Sequence, residues 1–404
     1  MRIQTTFATV AVLCAALCAP ALAQQVSPPP PAAAAAAVDP VHLQAVSEML
    51  TAMRVGDMTI AGMRLAPAKT PERREFAEYL LAHISGDDVV RQFAPVYARH
   101  VPLAEARELG ALFRGPQAQR ALAAQLDLFT PPGQARRMSD QEARAAVGAF
   151  DASADGARYA AVVKLGLAES NPVLVRWLAQ YHERLIGAPL REIAAERAAW
   201  VASGMVKAPV PFFPAKVGIS YIDGYASLVA TAGNRNLYAT WKLERDMAAL
   251  NFGDVMQPDK LLVPANMAHA RSIIDDSEKS LEAFLSESDA TLAAFRAGLA
   301  TIRLPGAQDP GSPLTQALEY HMGRSVKFAE NQRAMVALMR QAIDYVDARK
   351  STVKVANGGF LFATDAEAQA FNALIAALQR EIATGKAIWS KTRADMDQAA
   401  KGLL

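Results

Sequence analysis

Apolar residues recur along most of this chain at steps of three and four, the spacing that lines one face of a helix. Leu43, Val46, Met49, Leu50 and Met53 mark a first helix from Val41. Thr70-Pro71-Glu72 opens another, with proline in the first turn and an acid beside it. Its apolar face continues through Phe76, Leu80, Leu81 and Ile84, and the same period runs over Val89–His100 and Ala104–Phe113.

One unit is written twice. Glu105-Ala106-Arg107 aligns with Glu142-Ala143-Arg144, and Phe113 with Phe150. A small-residue turn follows each phenylalanine (Gly115-Pro116, then Ala152 to Gly156), and Arg120 or Arg158 enters the next helix. Ser139 to Glu142 fits a capping box. What recurs is the helix start, the ring and the turn, so the repeat reads as a structural unit.

The C-terminal half carries longer patterns. Met267, Ala270, Ile274, Ser277, Leu281 and Phe284, then Leu292, Phe295, Leu299 and Ile302, predict one long helix. A second runs from about Leu314 to Asp347 on Met335, Met339, Ala342 and Val346. In the last, Phe371, Ile375, Leu378, Ile382, Gly385, Trp389, Thr392, Met396 and Ala399 keep a heptad seam, over a rod of roughly 42 Å at about 1.5 Å per residue. Between the second and third, Thr352 to Ala356 and Gly359 to Phe362 alternate around Asn357-Gly358, the strongest short hairpin signal. Thr364 to Glu367 fits a second capping box.

The pattern therefore predicts an all-α protein. It has a multi-helix N-terminal region with the internal helix–turn–helix repeat (41–207). An aromatic and proline-rich connector (208–236) leads to a C-terminal long-helix bundle carrying one small β-hairpin (237–404). The connector stands apart because Pro209, Pro211 and Pro214 forbid a regular helix there, while Phe212, Phe213, Tyr221 and Tyr225 make it unlike a plain linker.

Ahead of the helices the composition changes. Arg2, the apolar run Phe7–Cys18 and Ala21-Leu22-Ala23 have the order of a signal peptide, with cleavage expected after Ala23. Gln24 to about residue 40 includes four prolines followed by six alanines and reads as a disordered tether. Both cysteines, Cys14 and Cys18, fall in the signal, so the exported chain is expected to lack disulfides. Removing Arg2 from the 42 basic residues leaves 41 against 40 acidic ones, which argues against bulk attraction to nucleic acid. No later stretch predicts a transmembrane helix. The expected location is periplasmic or secreted.

Catalytic motifs are few and incomplete. His182-Glu183 begins a zincin-like pattern, but Ile186 stands where the second histidine belongs, and the six histidines never pair at helical spacing. Ser351-x-x-Lys354 fits a nucleophile motif by letter, yet it lies in a strand-like stretch that turns the two residues apart. Asp275, Asp276 and Glu278 read as a solvated helix face. No catalytic residue, metal or cofactor is assigned.

Two places remain for binding. Phe212, Phe213, Tyr221, Asp223, Tyr225 and Asn234 bring rings and polar groups to the connector, as a ligand pocket or as an interdomain plug. Asn357, Gly358, Phe360 and Phe362 form a hairpin that is either a connector or a protruding contact tip.

The stretch FAPVYARHVPLAEARELGALFRGPQAQR also carries a resemblance. Phe93, Tyr97, Glu108, Leu109, Phe113, Pro116 and Arg120 are similar to the core of a family of exported bacterial proteins catalogued as a domain of unknown function. That pattern is an aromatic-x-x-x-Tyr/Phe helix, a Glu-Leu helix, then Phe-Tyr-x-Ser-Pro-x-Gly-x-Lys. It covers roughly residues 40–135; Gly115 and Ala118 stand where serine and glycine are usual. The resemblance implies a helical envelope domain and brings no reaction with it.

The expectation is a non-enzymatic binding or scaffolding protein of the bacterial envelope, with an envelope protein or a second copy as partner. A small-molecule or lipid-binding module built on the central aromatic segment is the alternative, and a cofactor-free hydrolase comes third.

Overall fold

Several helix starts in this chain are fixed by side chains that satisfy the first free amides. Asp39 accepts from the Val41 N–H, Thr70 from Arg73, and Ser85 and Ser139 form reciprocal capping boxes with Asp88 and Glu142. The computed structural model describes residues 39–65, 70–130, 136–203, 206–249, 257–302 and 313–403. The segment read as a signal peptide and nearly all of that read as a tether lie outside these residues.

The described elements are helical apart from one hairpin. In order they are α1 (Pro40–Ala52), α2 (Val55–Leu65), α3 (Pro71–His83), α4 (Gly86–Tyr97), α5 (Leu103–Phe113), α6 (Pro116–Phe129), α7 (Asp140–Asp151) and α8 (Ala154–Ala202). There follow α9 (Ser220–Ala249), α10 (Pro258–Leu261), α11 (Pro264–Thr301), α12 (Pro313–Asp347), β1 (Lys354–Ala356), β2 (Gly359–Leu361) and α13 (Asp365–Leu403). Among the described residues no helix is long and apolar enough to cross a membrane.

The chain divides into two compact units. One runs to Leu185 and takes in Gly218–Ser220; the other holds Ile186–Val217 and Tyr221–Leu404. The division thus falls inside α8, beside Gly187 and Pro189, rather than at the prolines after residue 207. The segment read as a connector is irregular only as far as Ile219; from Ser220 it is helix. Prolines stop at 214 and Gly218 turns the chain at φ 93°; nothing from Ser220 on opposes the helical period.

In the N-terminal unit, Val46 and Met49 of α1 and Met53, which caps its C-terminus, share a core with Phe93 and Tyr97 of α4 and Leu109 and Phe113 of α5. The repeat is realised as α5–α6 and α7–α8. Its two phenylalanines are both buried, and both meet one residue: Phe113 and Phe150 stand edge-on to the Tyr159 ring at 5.7 and 6.1 Å. Burial pushes the Tyr159 hydroxyl up to about 12. Arg158 of the second copy reaches Glu108 of the first at 2.8 Å. The duplicated unit therefore closes on itself through its conserved spacing. Glu75 holds Ser220, in the same unit, through its N–H and its hydroxyl.

In the C-terminal unit the long helices pack antiparallel. Arg271 near the start of α11 meets Asp344 and Asp347 at the end of α12, while Arg340 meets Asp275 and Glu278. Tyr345 and Asn331 of α12 likewise meet Glu367 and Glu381 of α13 in reverse order. The buried row of α11 is Met267, Ala270, Ile274, Ser277, Leu281, Phe284, Thr291 and Phe295. Half-buried Ser288 keeps the three-four step between Phe284 and Thr291, so the seam holds its phase where the apolar pattern jumps to Leu292. Ser277 and Ser288 tolerate burial by donating to the Ile273 and Phe284 carbonyls one turn back.

Asn331 is a buried polar residue between α12 and α13. Its amide donates to the Glu381 carbonyl at 2.9 Å and carboxylate at 2.7 Å, and Gln332 donates to its oxygen. Gly385 makes room, since a Cβ there would stand 2.7 Å from Asn331 Oδ1. On α13, Phe371, Ile375, Leu378 and Ile382 are half-buried and Gly385 is buried. The side chains of Trp389, Thr392, Met396 and Ala399 lie outside the described residues.

The hairpin pairs Lys354 with Leu361, Val355 with Phe360 and Ala356 with Gly359. Asn357 (φ 51°) and Gly358 (φ 74°) supply the two positive φ values that a type I′ turn needs. Thr364 caps α13 by accepting from the Glu367 N–H, but the Glu367 carboxylate meets Arg349, so this is half of the expected capping box.

Candidate functional site

Residues 206–219 form a strap without helix or ladder that runs along α9. Side chains pin it at intervals. Asn234 pairs with the peptide of Phe212, accepting from its N–H at 3.2 Å and donating to its carbonyl at 3.0 Å. Asp223 accepts from the Val217 N–H at 2.7 Å, Glu192 from the Ala215 N–H at 3.2 Å, and Trp200 Nε1 donates to the Lys207 carbonyl.

The anchor spacing requires an extended strap. From Asp223 to Asn234 is eleven helical residues, about 16 Å at roughly 1.5 Å each. The strap covers that distance from Val217 to Phe212 in five residues, about 3.2 Å each, the rise of an extended chain in polyproline II or strand form. It runs antiparallel to α9 in an extended form that its three prolines favour.

Polyproline II has about three residues per turn, so every third residue shares an edge. Lys207, Val210, Phe213 and Lys216 are all exposed. Pro209 and Phe212 are half-buried. Val210 is 79 % exposed and Phe213 56 %, with Val206 just before them at 81 %.

The six connector residues thus have separable roles. Tyr221 and Tyr225 are buried in α9. Phe212, Asp223 and Asn234 hold the strap in place, and Phe213 faces solvent. The side chains of Asp223 and Asn234 are spent on the strap's own peptides. Glu192 and Trp200 complete the anchoring; nothing in their local sequence marks them, because they lie on the preceding helix.

The hairpin presents something other than its phenylalanines. Phe362 is buried, Phe360 is half-buried, and with Phe371 they form a ring cluster whose centroids lie 5.2 to 6.2 Å apart. Tyr345 joins them under the Arg349 guanidinium, 3.7 Å from its ring centre. Strand alternation puts Val353, Val355, Phe360 and Phe362 on one face, where Val353 and Phe362 are buried and Val355 is exposed, and Lys354 and the 56 % exposed Leu361 on the other. Asn357 and Gly358 are exposed at the tip.

The remaining candidates are engaged as structure. Asp275 and Glu278 each lie 2.7 Å from Arg340, and Asp276 pairs with Lys279. His182 stands edge-on to Phe76 at 4.7 Å, and burial lowers its pKa. Ser351 lies in the turn before β1 and Lys354 on that strand, both exposed. A shallow depression of about 380 Å³ in the N-terminal unit is lined by Gln44, Ser47, Glu48, Thr51, Ala52 and Arg114. Among the described residues no three His, Cys, Asp or Glu side chains are grouped to hold a metal. No protein-family model matches the chain, and neither a curated protein nor a solved structure matches it.

Proposed function

We propose that this chain is an exported, non-enzymatic binding protein of the bacterial envelope. The observation that carries this reading is the strap: an extended segment whose backbone is anchored at four points while Val206, Val210 and Phe213 stand out in solvent. Anchoring a segment that exposes apolar side chains makes sense for recognition, because the ordering cost is met within the fold and the partner gains the apolar contact. The signal-like first 23 residues and the family resemblance over roughly 40–135 support the envelope location.

The test is recovery of partners from envelope fractions of cells producing the full chain, reversibly cross-linked, with wild type and the Val210→Asp/Phe213→Asp variant side by side. The reading expects at least one protein recovered with wild type and depleted with the variant, both chains remaining helical by circular dichroism. Identical recovery with both would overturn it.

A further inference from the structure

We infer that the strap is recognised as a polyproline II ligand, by a partner groove lined with aromatic rings and rimmed with carboxylates. This rests on the binding reading above and names its occupant.

Backbone chemistry excludes the commonest alternative for an extended segment, addition to a β-sheet. Pro209, Pro211 and Pro214 have no N–H, and the N–H groups of Phe212, Ala215 and Val217 are already given to Asn234, Glu192 and Asp223. A strand partner would meet a broken row of donors. Grooves that read polyproline II need no such row; they take the ridges of one edge between aromatic rings. The edge available here is Lys207, Val210, Phe213 and Lys216, exposed at every third position.

Charge selects the rim. The strap itself carries two lysines and no acid from residue 206 to 219; the nearby Glu192 and Asp223 carboxylates are given to the Ala215 and Val217 N–H groups on either side of Lys216. Lys207 and Lys216 are nine residues apart, about 28 Å at a rise of roughly 3.1 Å per residue. That exceeds the Debye length of about 8 Å at physiological salt, so the two act as separate point contacts. An anionic lipid surface is held instead by clusters of about four to eight basic residues acting together. Two lone lysines bracketing an apolar pair fit two carboxylates bracketing an aromatic slot.

The experiment places a photo-cross-linking amino acid at Val210 of the full chain in its native host, with the same residue at exposed Leu361 as control. The cross-linked partner peptide is then sequenced. The inference expects a protein adduct from position 210, at or beside an aromatic residue with an acid close by. The added Lys207→Glu/Lys216→Glu substitutions should reduce it by about tenfold or more, because like charges then face each other. The control adducts should not change. A protein adduct that lacks aromatic and acidic neighbours, or that survives both charge reversals, would overturn the inference and leave the binding reading standing. A lipid adduct, or one joining two copies of this chain, would also overturn it. Absence of any position-specific adduct would overturn both readings.

Discussion

The close approach of α2 to α4 in the N-terminal unit makes a prediction of sign as well as size. Gly56 of α2 faces Gly86 of α4. A Cβ built on Gly56 would lie 2.1 Å from the Gly86 carbonyl oxygen and 2.6 Å from its carbon. Ordinary non-bonded contact lies near about 3.5 Å, so Gly56→Ala forces the two helices apart by more than an ångström. No side chain can rotate away, because the atoms met are backbone. Overpacking of this kind costs about 1–3 kcal/mol, and the upper end applies here; the helix propensity of alanine returns about 1 kcal/mol. The net expectation is a loss of about 2 kcal/mol. Gly62, two turns along the same helix, meets nothing within 4 Å, so Gly62→Ala should gain up to about 1 kcal/mol from propensity alone. Native-state hydrogen exchange of the α2 and α4 amides reads both in the intact chain, without treating two units as one transition. At about 1.4 kcal/mol per factor of ten, exchange should quicken roughly thirtyfold in Gly56→Ala and slow about fivefold in Gly62→Ala. Equal effects from the two substitutions, or a neutral Gly56→Ala, would refute the claimed contact.

Other expectations follow from the same packing. Phe113→Ala and Phe150→Ala should each cost about 3–5 kcal/mol, and the double variant should cost less than their sum because both rings rest on Tyr159; native-state hydrogen exchange of the α5 and α7 amides in the four proteins checks this. Gly385→Ala should destabilise the C-terminal unit by about 1–3 kcal/mol, and part of that loss should return in Gly385→Ala/Asn331→Ala; exchange of the α12 and α13 amides separates the two outcomes. His182 is held neutral by burial, so its folded pKa lies below the unfolded value near 6.5. The unfolded chain therefore binds the proton first, and the N-terminal unit should weaken as pH falls below about 6.5, levelling off once the folded form is protonated too. A melting temperature that does not change between pH 7.5 and 5.5, or that falls equally in His182→Phe, would contradict this. On the signal reading, mass spectrometry of the chain purified from its host should find it beginning at Gln24; retention of the first 23 residues would remove that reading.

Much of the fold is legible in local chemistry. Helix starts at Asp39, Thr70, Ser85 and Ser139 are set by a side chain and an amide two or three residues on, and Asn357-Gly358 fixes its turn by tolerating positive φ. The three-four period needs only the helix's own geometry to mark one face, and the repeat needs only that the same face be written twice. These signals act over a few residues, so the order of the sequence carries them.

What the tertiary structure decided depends on residues far apart in the chain. Phe113 and Phe150 were recognisable as equivalent, but their meeting on Tyr159 was not. Thr291 rather than Leu292 holds the buried phase of α11, because a threonine hydroxyl can bond within its own helix, here to Glu287, and a polar letter hides the seam. Gln332 occupies a seam position of α12, a visible sign of a polar layer, yet only packing shows that Asn331 and Gly385 complete it. The aromatic connector reads as a ligand pocket or an interdomain plug, because rings, a carboxylate and a carboxamide lie close together in the sequence. Folding assigns those polar groups to the strap's own peptides, since buried or half-buried backbone must be hydrogen-bonded and prolines leave it no ladder. Composition placed aromatic and polar groups there; the anchors on α8 and α9 determined which of them face solvent.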